Sequence, residues 1–173
     1  MNTVKMIANT CMSKDTEAIG NKELLERSKT AFLAPSKICT MSVLKCYDWA
    51  QTMTRDNRCV ISGFSSRLEK EVLHFLLKGN SPIIMVLGRK MYTKLPKELM
   101  LPLKQGQLLI ISVSNEIRQS KQSAYKRNLY IADVADEVVF PCIPSKESSL
   151  YPIYEDLKTK NKRIKVVFSK KRK

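Results

Sequence analysis

Three apolar runs set hard against glycine constrain this chain more than anything else in it. Cys59-Val60-Ile61-Ser62 stops at Gly63, the run over 82–87 stops at Gly88, and the run over 107–113 follows Gly106. A short run with no polar alternation, bounded by glycine, is the pattern of a strand covered on both faces. A fourth run, Lys29-Thr30-Ala31-Phe32-Leu33, breaks at Ala34-Pro35-Ser36. The segments between these runs carry a helical period. Over 41–54 the residues Val43, Leu44, Tyr47, Ala50 and Met53 recur at helical spacing. Ser66 and Glu69 stand three apart just before Val72, Leu73, Leu76 and Leu77, the spacing of a capping box. A helix over 119–132, a strand over 137–140, a helix over 151–160 and an edge strand over 164–168 complete the series, and 22–28 forms a short helix. Strands alternating with helices imply βαβ crossovers and a mainly parallel sheet. The expected fold class is α/β, a three-layer α/β/α Rossmann-like open sheet.

At 173 residues, 43% of them hydrophobic, the chain has the size of one domain with a real core. The expected organisation is a flexible N-terminal segment over 1–21, a single Rossmann-like domain over 22–168 and a basic C-terminal tail over 169–173. No apolar run approaches the roughly 20 residues that cross a bilayer, and residues 1–20 lack the apolar region of a secretory signal. The five cysteines are scattered without a CxxC, and His74 is the one imidazole, so a zinc cluster lacks material. Reduced thiols and a cytoplasmic location are expected, with no metal and no cofactor.

Lysine and arginine total 31 against 16 acids, a formal charge of +15. Such a field favours anionic partners. Nine basic and two acidic residues fall between Glu155 and Lys173, so nearly half of the excess lies near the C-terminus.

In open α/β sheets, ligands bind outside the carboxyl ends of the strands. Three such ends carry suitable chemistry. Ser36 and Lys37 present a hydroxyl and an ammonium after the first strand. Gly63, Ser65, Ser66 and Arg67 follow the second, where glycine permits close backbone approach and a helix N-terminus offers N–H groups to an anion. Gly88 and Arg89 follow the third. A helix farther along carries Arg127 and Asn128 amid Lys121, Tyr125, Lys126 and Tyr130, residue types that pair phosphates and stack bases. Neither GxGxxG nor GxxxxGK[ST] is present. Glu69 and Glu71, two apart, point to different helix faces, and neither serine nor cysteine has an evident histidine partner, so no catalytic residue is assigned.

Four of these pieces, in order, resemble the DNA-processing protein A (DprA/Smf) family. They are Val60-Ile61-Ser62-Gly63, Ile84-Met85-Val86-Leu87-Gly88, Gly106 with Leu108-Leu109-Ile110, and Arg127-Asn128-Leu129-Tyr130-Ile131-Ala132. Their counterparts in the family are a VVSG-x-A-R-G-I-D loop, an I-A-V-L-G strand, a G-x-L-L-S strand and an R-N-R-I-I-A helix. The similarity covers 29–140. It implies single-stranded DNA binding at a basic pocket and a homodimer. By position, Ser36 and Lys37 match a Gly-Ser-Arg turn, Gly63 the SG glycine, and Arg127 and Asn128 the R-N pair. Pro35 stands where the turn has glycine, Ser65-Ser66-Arg67-Leu68-Glu69 replaces A-R-G-I-D, and Tyr125 replaces a proline. The PGGxGTxxE loop of related phosphoribohydrolases has no counterpart here.

The expected function is non-enzymatic binding of single-stranded DNA or another phosphate-rich ligand at the strand-end rim. The alternative is a nucleotide-binding sensor domain using the same rim. A nucleotide-processing enzyme ranks below both.

Overall fold

The computed structural model describes residues 16–168. Seven strands form one sheet: β1 (Glu17–Gly20), β2 (Lys29–Phe32), β3 (Cys59–Ser62), β4 (Ile83–Leu87), β5 (Leu108–Ser112), β6 (Glu137–Phe140) and β7 (Arg163–Val166), in the order β1-β5-β4-β3-β2-β6-β7. β1 runs antiparallel to β5, and every other pair is parallel. A short 3-10 helix (Lys22–Glu26), where the sequence leads one to expect a helix over 22–28, joins β1 to β2, and five α-helices make the other connections: α1 (Thr40–Arg55), α2 (Arg67–Lys78), α3 (Lys97–Lys104), α4 (Lys121–Val134) and α5 (Tyr151–Thr159). The fold is a three-layer, Rossmann-like α/β/α sandwich.

Side chains alternate across a strand with a period of two, and the central strands use both faces. Phe32, Val60, Ile83, Met85 and Ile110 point to one side with α1, α2 and α3. Ala31, Ile61, Ile84, Val86 and Ile111 point to the other with α4 and α5. All of β2, β3, β4 and β5 is buried, which is why these segments read as unbroken apolar runs.

The chain enters the parallel sheet at β2, moves outward through β3, β4 and β5, then returns across α4 to place β6 on the other side of β2. The strand order therefore reverses between β2 and β6. The carboxyl ends at this switch form the crevice that open α/β sheets use for ligands.

Three expectations need correction. The segment over 1–21 is not uniformly loose, because Glu17–Gly20 is the edge strand β1, paired from Glu17 with Ser112 to Gly20 with Leu109. Four residues are too few to display an alternation, and this strand is specified by its partner β5. The remainder of that segment and the basic tail over 169–173 lie outside the described residues. On α1, Leu44 is 70% exposed; the buried stripe is Ser42, Cys46, Trp49, Ala50 and Met53. Both stripes obey helical spacing, and Trp49 decides between them by stacking on Phe32 at 4.9 Å. The helix α3 had no counterpart in the sequence reading. It is eight residues long with Pro102 inside it, and it buries Leu99.

Candidate functional site

The capping box on α2 forms as its spacing predicts. Ser66 Oγ accepts from the Glu69 amide at 3.3 Å, and Glu69 Oε2 accepts from the Ser66 amide at 3.2 Å. The carboxylate reaches farther than a cap requires. Oε2 also accepts from the Ser65 amide at 2.9 Å, and Oε1 accepts from the Ala34 amide at 3.0 Å. Glu69, only 3% exposed, thus ties the loop after β2 to the loop after β3. These charge-assisted bonds fix the two loops across the sheet. The carboxylate thereby takes the amides of Ser65 and Ser66, which precede the first turn of α2.

The loop after β3 carries a second constraint. Phe64 adopts a φ of 48°, the left-handed region that a bulky residue rarely occupies, while its ring is buried. Ser62 Oγ donates to Phe32 O at 2.8 Å and accepts from the Phe64 amide at 3.3 Å, holding that backbone against β2.

Across the sheet, the first turns of α4 cover the ends of β3 and β4. Ser120 and Ser123 make a reciprocal cap: Ser120 Oγ accepts from the Ser123 amide at 3.0 Å, and Ser123 Oγ from the Ser120 amide at 2.9 Å. Two turns on, Arg127 is 3% exposed and lies directly over Gly63. A Cβ on Gly63 would sit 2.5 Å from both Cζ and Nε of Arg127. Only glycine permits that approach. Gly88 plays the same part beneath Gln119 and Ser123, whose Oε1 and carbonyl oxygen would meet a Cβ at 3.2 and 3.1 Å.

The Arg127 guanidinium is held by amide oxygens. Nη1 donates to Gln119 Oε1 at 2.5 Å; Nε and Nη2 donate to Asn128 Oδ1 at 3.2 and 3.0 Å. Burial pushes the Arg127 guanidinium below its ordinary pKa, and the Glu69 charge acts in the opposite direction. The side chain stays charged at any physiological pH. Its three bonds use three of five N–H donors. A buried cation bonded to neutral partners, with donors to spare, is suited to meet an anion.

Gly63, Gly88, Arg127 and Asn128 therefore come together at the strand ends, and Ser65 and Ser66 join them through Glu69. Ser36 and Lys37 stand exposed on the loop beyond Ala34. Two further expected cations have partners of their own. Arg67, with its side chain 93% exposed, pairs with Glu71 at 3.3 Å. Arg89 lays its guanidinium on the ring of Tyr92, 4.5 Å from the centroid. The sequence reading did not assign Gln119, Ser123 or Glu69 to the site. Glu69 was visible only as a cap, and the Ser120–Ser123 cap beside Gln119 was the signal for the other two.

No protein-family model and no curated protein sequence matches the chain. Solved structures do. DNA processing protein A from Helicobacter pylori, described for its single-stranded DNA binding mode, superposes with a TM-score of 0.68 at 16% identity. The match covers 87% of this chain and 70% of that one. DNA processing protein A from Streptococcus pneumoniae gives 0.69 at 16% identity over 86% of this chain, which spans 53% of that protein's length. A molybdenum cofactor binding protein from Rippkaea orientalis gives 0.55 at 13% identity, covering 80% of this chain and 74% of that one. At these identities the likeness is one of fold. Among the described residues no helix is long and apolar enough to cross a membrane.

Proposed function

We propose that this chain binds single-stranded DNA, or a chemically similar phosphate-rich strand, at the rim formed by the carboxyl ends of β2, β3 and β4, without catalysing a reaction on it. One observation carries the reading: the Arg127 guanidinium, buried against Gly63 and bonded to neutral amides, sits at the carboxyl end of β3, one strand from the switch between β2 and β6. Such a site offers fixed positive charge at low reorganisation cost.

In this reading Arg127 is the central phosphate contact and Asn128 orients it. Ser36, Lys37 and the Ser65 hydroxyl line the approach. Glu69 already occupies the amides of Ser65 and Ser66 that precede α2, so in this reading side chains supply the phosphate contacts named above. Arg89, turned onto Tyr92, presents a cation and an aromatic ring together, a pair that suits a phosphate followed by a base. The likeness in fold to the two DNA processing proteins, one described as binding single-stranded DNA, supports the same class of ligand.

The alternative occupant of the rim, a single nucleotide, differs in its salt response. Binding a single strand through several phosphates lowers log affinity by about 0.7 per phosphate per unit of log salt. Fluorescence anisotropy with labelled oligo-dT and with labelled ATP, at four salt concentrations, separates the two. The proposal expects oligo-dT to bind with a slope of about −2 or steeper. Saturation by ATP at one equivalent with a shallow slope, and no tighter binding of the oligonucleotide, favours the nucleotide sensor. A chain ending at Phe168 is the control for attraction by the tail.

A further inference from the structure

Three of the described cysteines gather where β2 and β6 meet. The two strands end side by side: Phe32 pairs with Val139, and the Leu33 amide donates to Val139 O at 3.0 Å. Beyond β2 a loop leads to Cys39, the N-cap of α1, and Cys142 follows just after β6. Phe168 ties the two stretches together. Its amide donates to Pro141 O at 2.9 Å, and its ring centroid lies 5.0 Å from Lys45 Nζ on α1. Cys46, the next residue on α1, is buried in the same apolar cluster as Phe32 and Val139.

The Cys39 amide donates to the Cys142 sulfur. An amide nitrogen is one covalent bond from its own Cα, so a sulfur held there is within the span of a disulfide. Cys39 is exposed, and its side chain makes no capping bond. Its carbonyl is held by the Ser42 amide at 2.9 Å and by Ser42 Oγ at 2.6 Å, so the backbone is fixed while the thiol is free to turn. Cys142 is half-buried; burial pushes its thiol up from the ordinary value, and the Cys39 amide opposes that shift. Cys46 is pushed up to about 12, by burial first and then by the Cys142 charge, so it stays a thiol and a poor nucleophile. Cys59 lies in the other apolar cluster, across the sheet.

We propose that Cys39 and Cys142 form a modification site, a thiol pair that a peroxide converts into a disulfide joining the start of α1 to the end of β6. Cys39, the thiol open to solvent, meets the oxidant. Its sulfur takes one peroxide oxygen as the O–O bond breaks, giving a sulfenic acid and, with the thiol proton, one water. The Cys142 sulfur then attacks the Cys39 sulfur. The S–S bond forms, the S–O bond breaks, and the departing hydroxide takes the Cys142 proton as a second water. Two electrons pass in all from the two sulfurs to the peroxide. The site stands apart from the strand-end cations and does not depend on what the rim binds. In the bridged form the loop that carries Ser36 and Lys37 is tied at both ends, by Glu69 at Ala34 and by Cys142 at Cys39.

Each of the five cysteines falls on its own tryptic peptide: 6–14, 38–45, 46–55, 59–67 and 128–146. The full chain is treated with hydrogen peroxide, its remaining thiols are capped with N-ethylmaleimide, and the digest is read by mass spectrometry without reductant. The proposal expects 38–45 joined to 128–146 at a mass two hydrogens below their sum, as the most abundant linked pair, and its loss on adding dithiothreitol. Cys11→Ser, outside the described residues, is expected to leave this link intact, whereas Cys39→Ser and Cys142→Ser each abolish it. The mapping is done on the unaltered chain, so it stays decisive if Cys142→Ser does not fold. Both peptides recovered with only the maleimide cap overturn the proposal, as does Cys39 found as a sulfinic acid with no partner. A dominant link from 38–45 to 46–55 or to 6–14 also overturns it. So does a link that non-reducing electrophoresis finds only in dimer-sized species.

Discussion

The two edges of the parallel sheet are built in opposite ways. At the edge where helices hand over to strands, one local device recurs four times. Asn57, Asn80, Gly106 and Asn161 each take a positive φ just after α1, α2, α3 and α5. Each amide bonds back to Thr54, Leu77, Leu103 or Lys158, and the next amide bonds to Met53, Leu76, Pro102 or Leu157. This is the paired closure of a Schellman motif, completed within six residues. At the opposite edge nothing repeats. Ala34 bonds to Glu69, Ser62 to Phe32, Ser112 to Arg89, and Gln119 to an arginine eight residues ahead that rests on Gly63. There a bulky phenylalanine, rather than glycine or asparagine, carries the positive φ. One edge closes the fold by chemistry that any helix end could use. The other is cross-linked across the sheet and holds strain and buried charge, which is where a ligand site belongs.

Perturbing the long-range edge should therefore cost most. Glu69→Ala strands the amides of Ala34, Ser65 and Ser66 in a buried loop. It is expected to lower stability by roughly 3 kcal/mol or more in urea unfolding and to weaken oligonucleotide binding with it. Glu69→Gln keeps an acceptor and should cost less than half of that.

Gly63→Ala puts a methyl group into the Arg127 guanidinium. A loss of about 1–3 kcal/mol is expected, the range of overpacking. Oligonucleotide affinity should fall further than stability alone explains, because the displaced group is the central cation. Thermal unfolding and anisotropy measured on the same preparation check both parts.

An intermediate effect comes from buried thiols on the body of the fold. Burial pushes Cys46 from its ordinary 9.0 up to about 12 and Cys59 up to about 11. Above pH 9 the unfolded chain loses protons that the folded chain keeps, so stability present below pH 9 is lost as the pH climbs toward 11. Urea midpoints measured from pH 8 to 10.5 should fall, and Cys46→Ala with Cys59→Ala should flatten that decline.

The smallest change is expected at the repeated edge. Asn57→Gly supplies the residue most at ease with a positive φ and should shift stability by no more than about 0.5 kcal/mol, with oligonucleotide binding unaltered.

The two edges also differ in how legible they were. The strands announce themselves because burial on both faces removes alternation, and the Ser66–Glu69 spacing locates the start of α2 to the residue. What the sequence did not disclose is tertiary. Glu69 reads as a cap in any isolated helix; its bond to Ala34 exists only once β2 and β3 are paired. Arg127 reads simply as a cation in mid-helix, and only the glycine opposite lets it be buried. Arg67 and Arg89 look equivalent to Arg127 in a linear motif, yet neither is buried: Arg67 pairs with Glu71 at the surface and Arg89 rests on Tyr92. The strand β1 was missed because an edge strand of four residues borrows its definition from its neighbour, and α3 because Pro102 interrupts the pattern that would have marked a helix.

Charge reversal at the two edges tests the central claim most directly. Lys37→Glu with Arg89→Glu changes the strand-end rim; Lys78→Glu with Lys104→Glu makes the same change in net charge at the helix-closing edge. With labelled oligo-dT titrated at several salt concentrations, the rim pair is expected to lose at least tenfold in affinity and about 1.4 in log–log slope, two phosphate contacts' worth. The opposite pair should keep the slope of the unaltered chain. Equal losses from both pairs would contradict the account, reducing binding to the overall positive charge of the molecule.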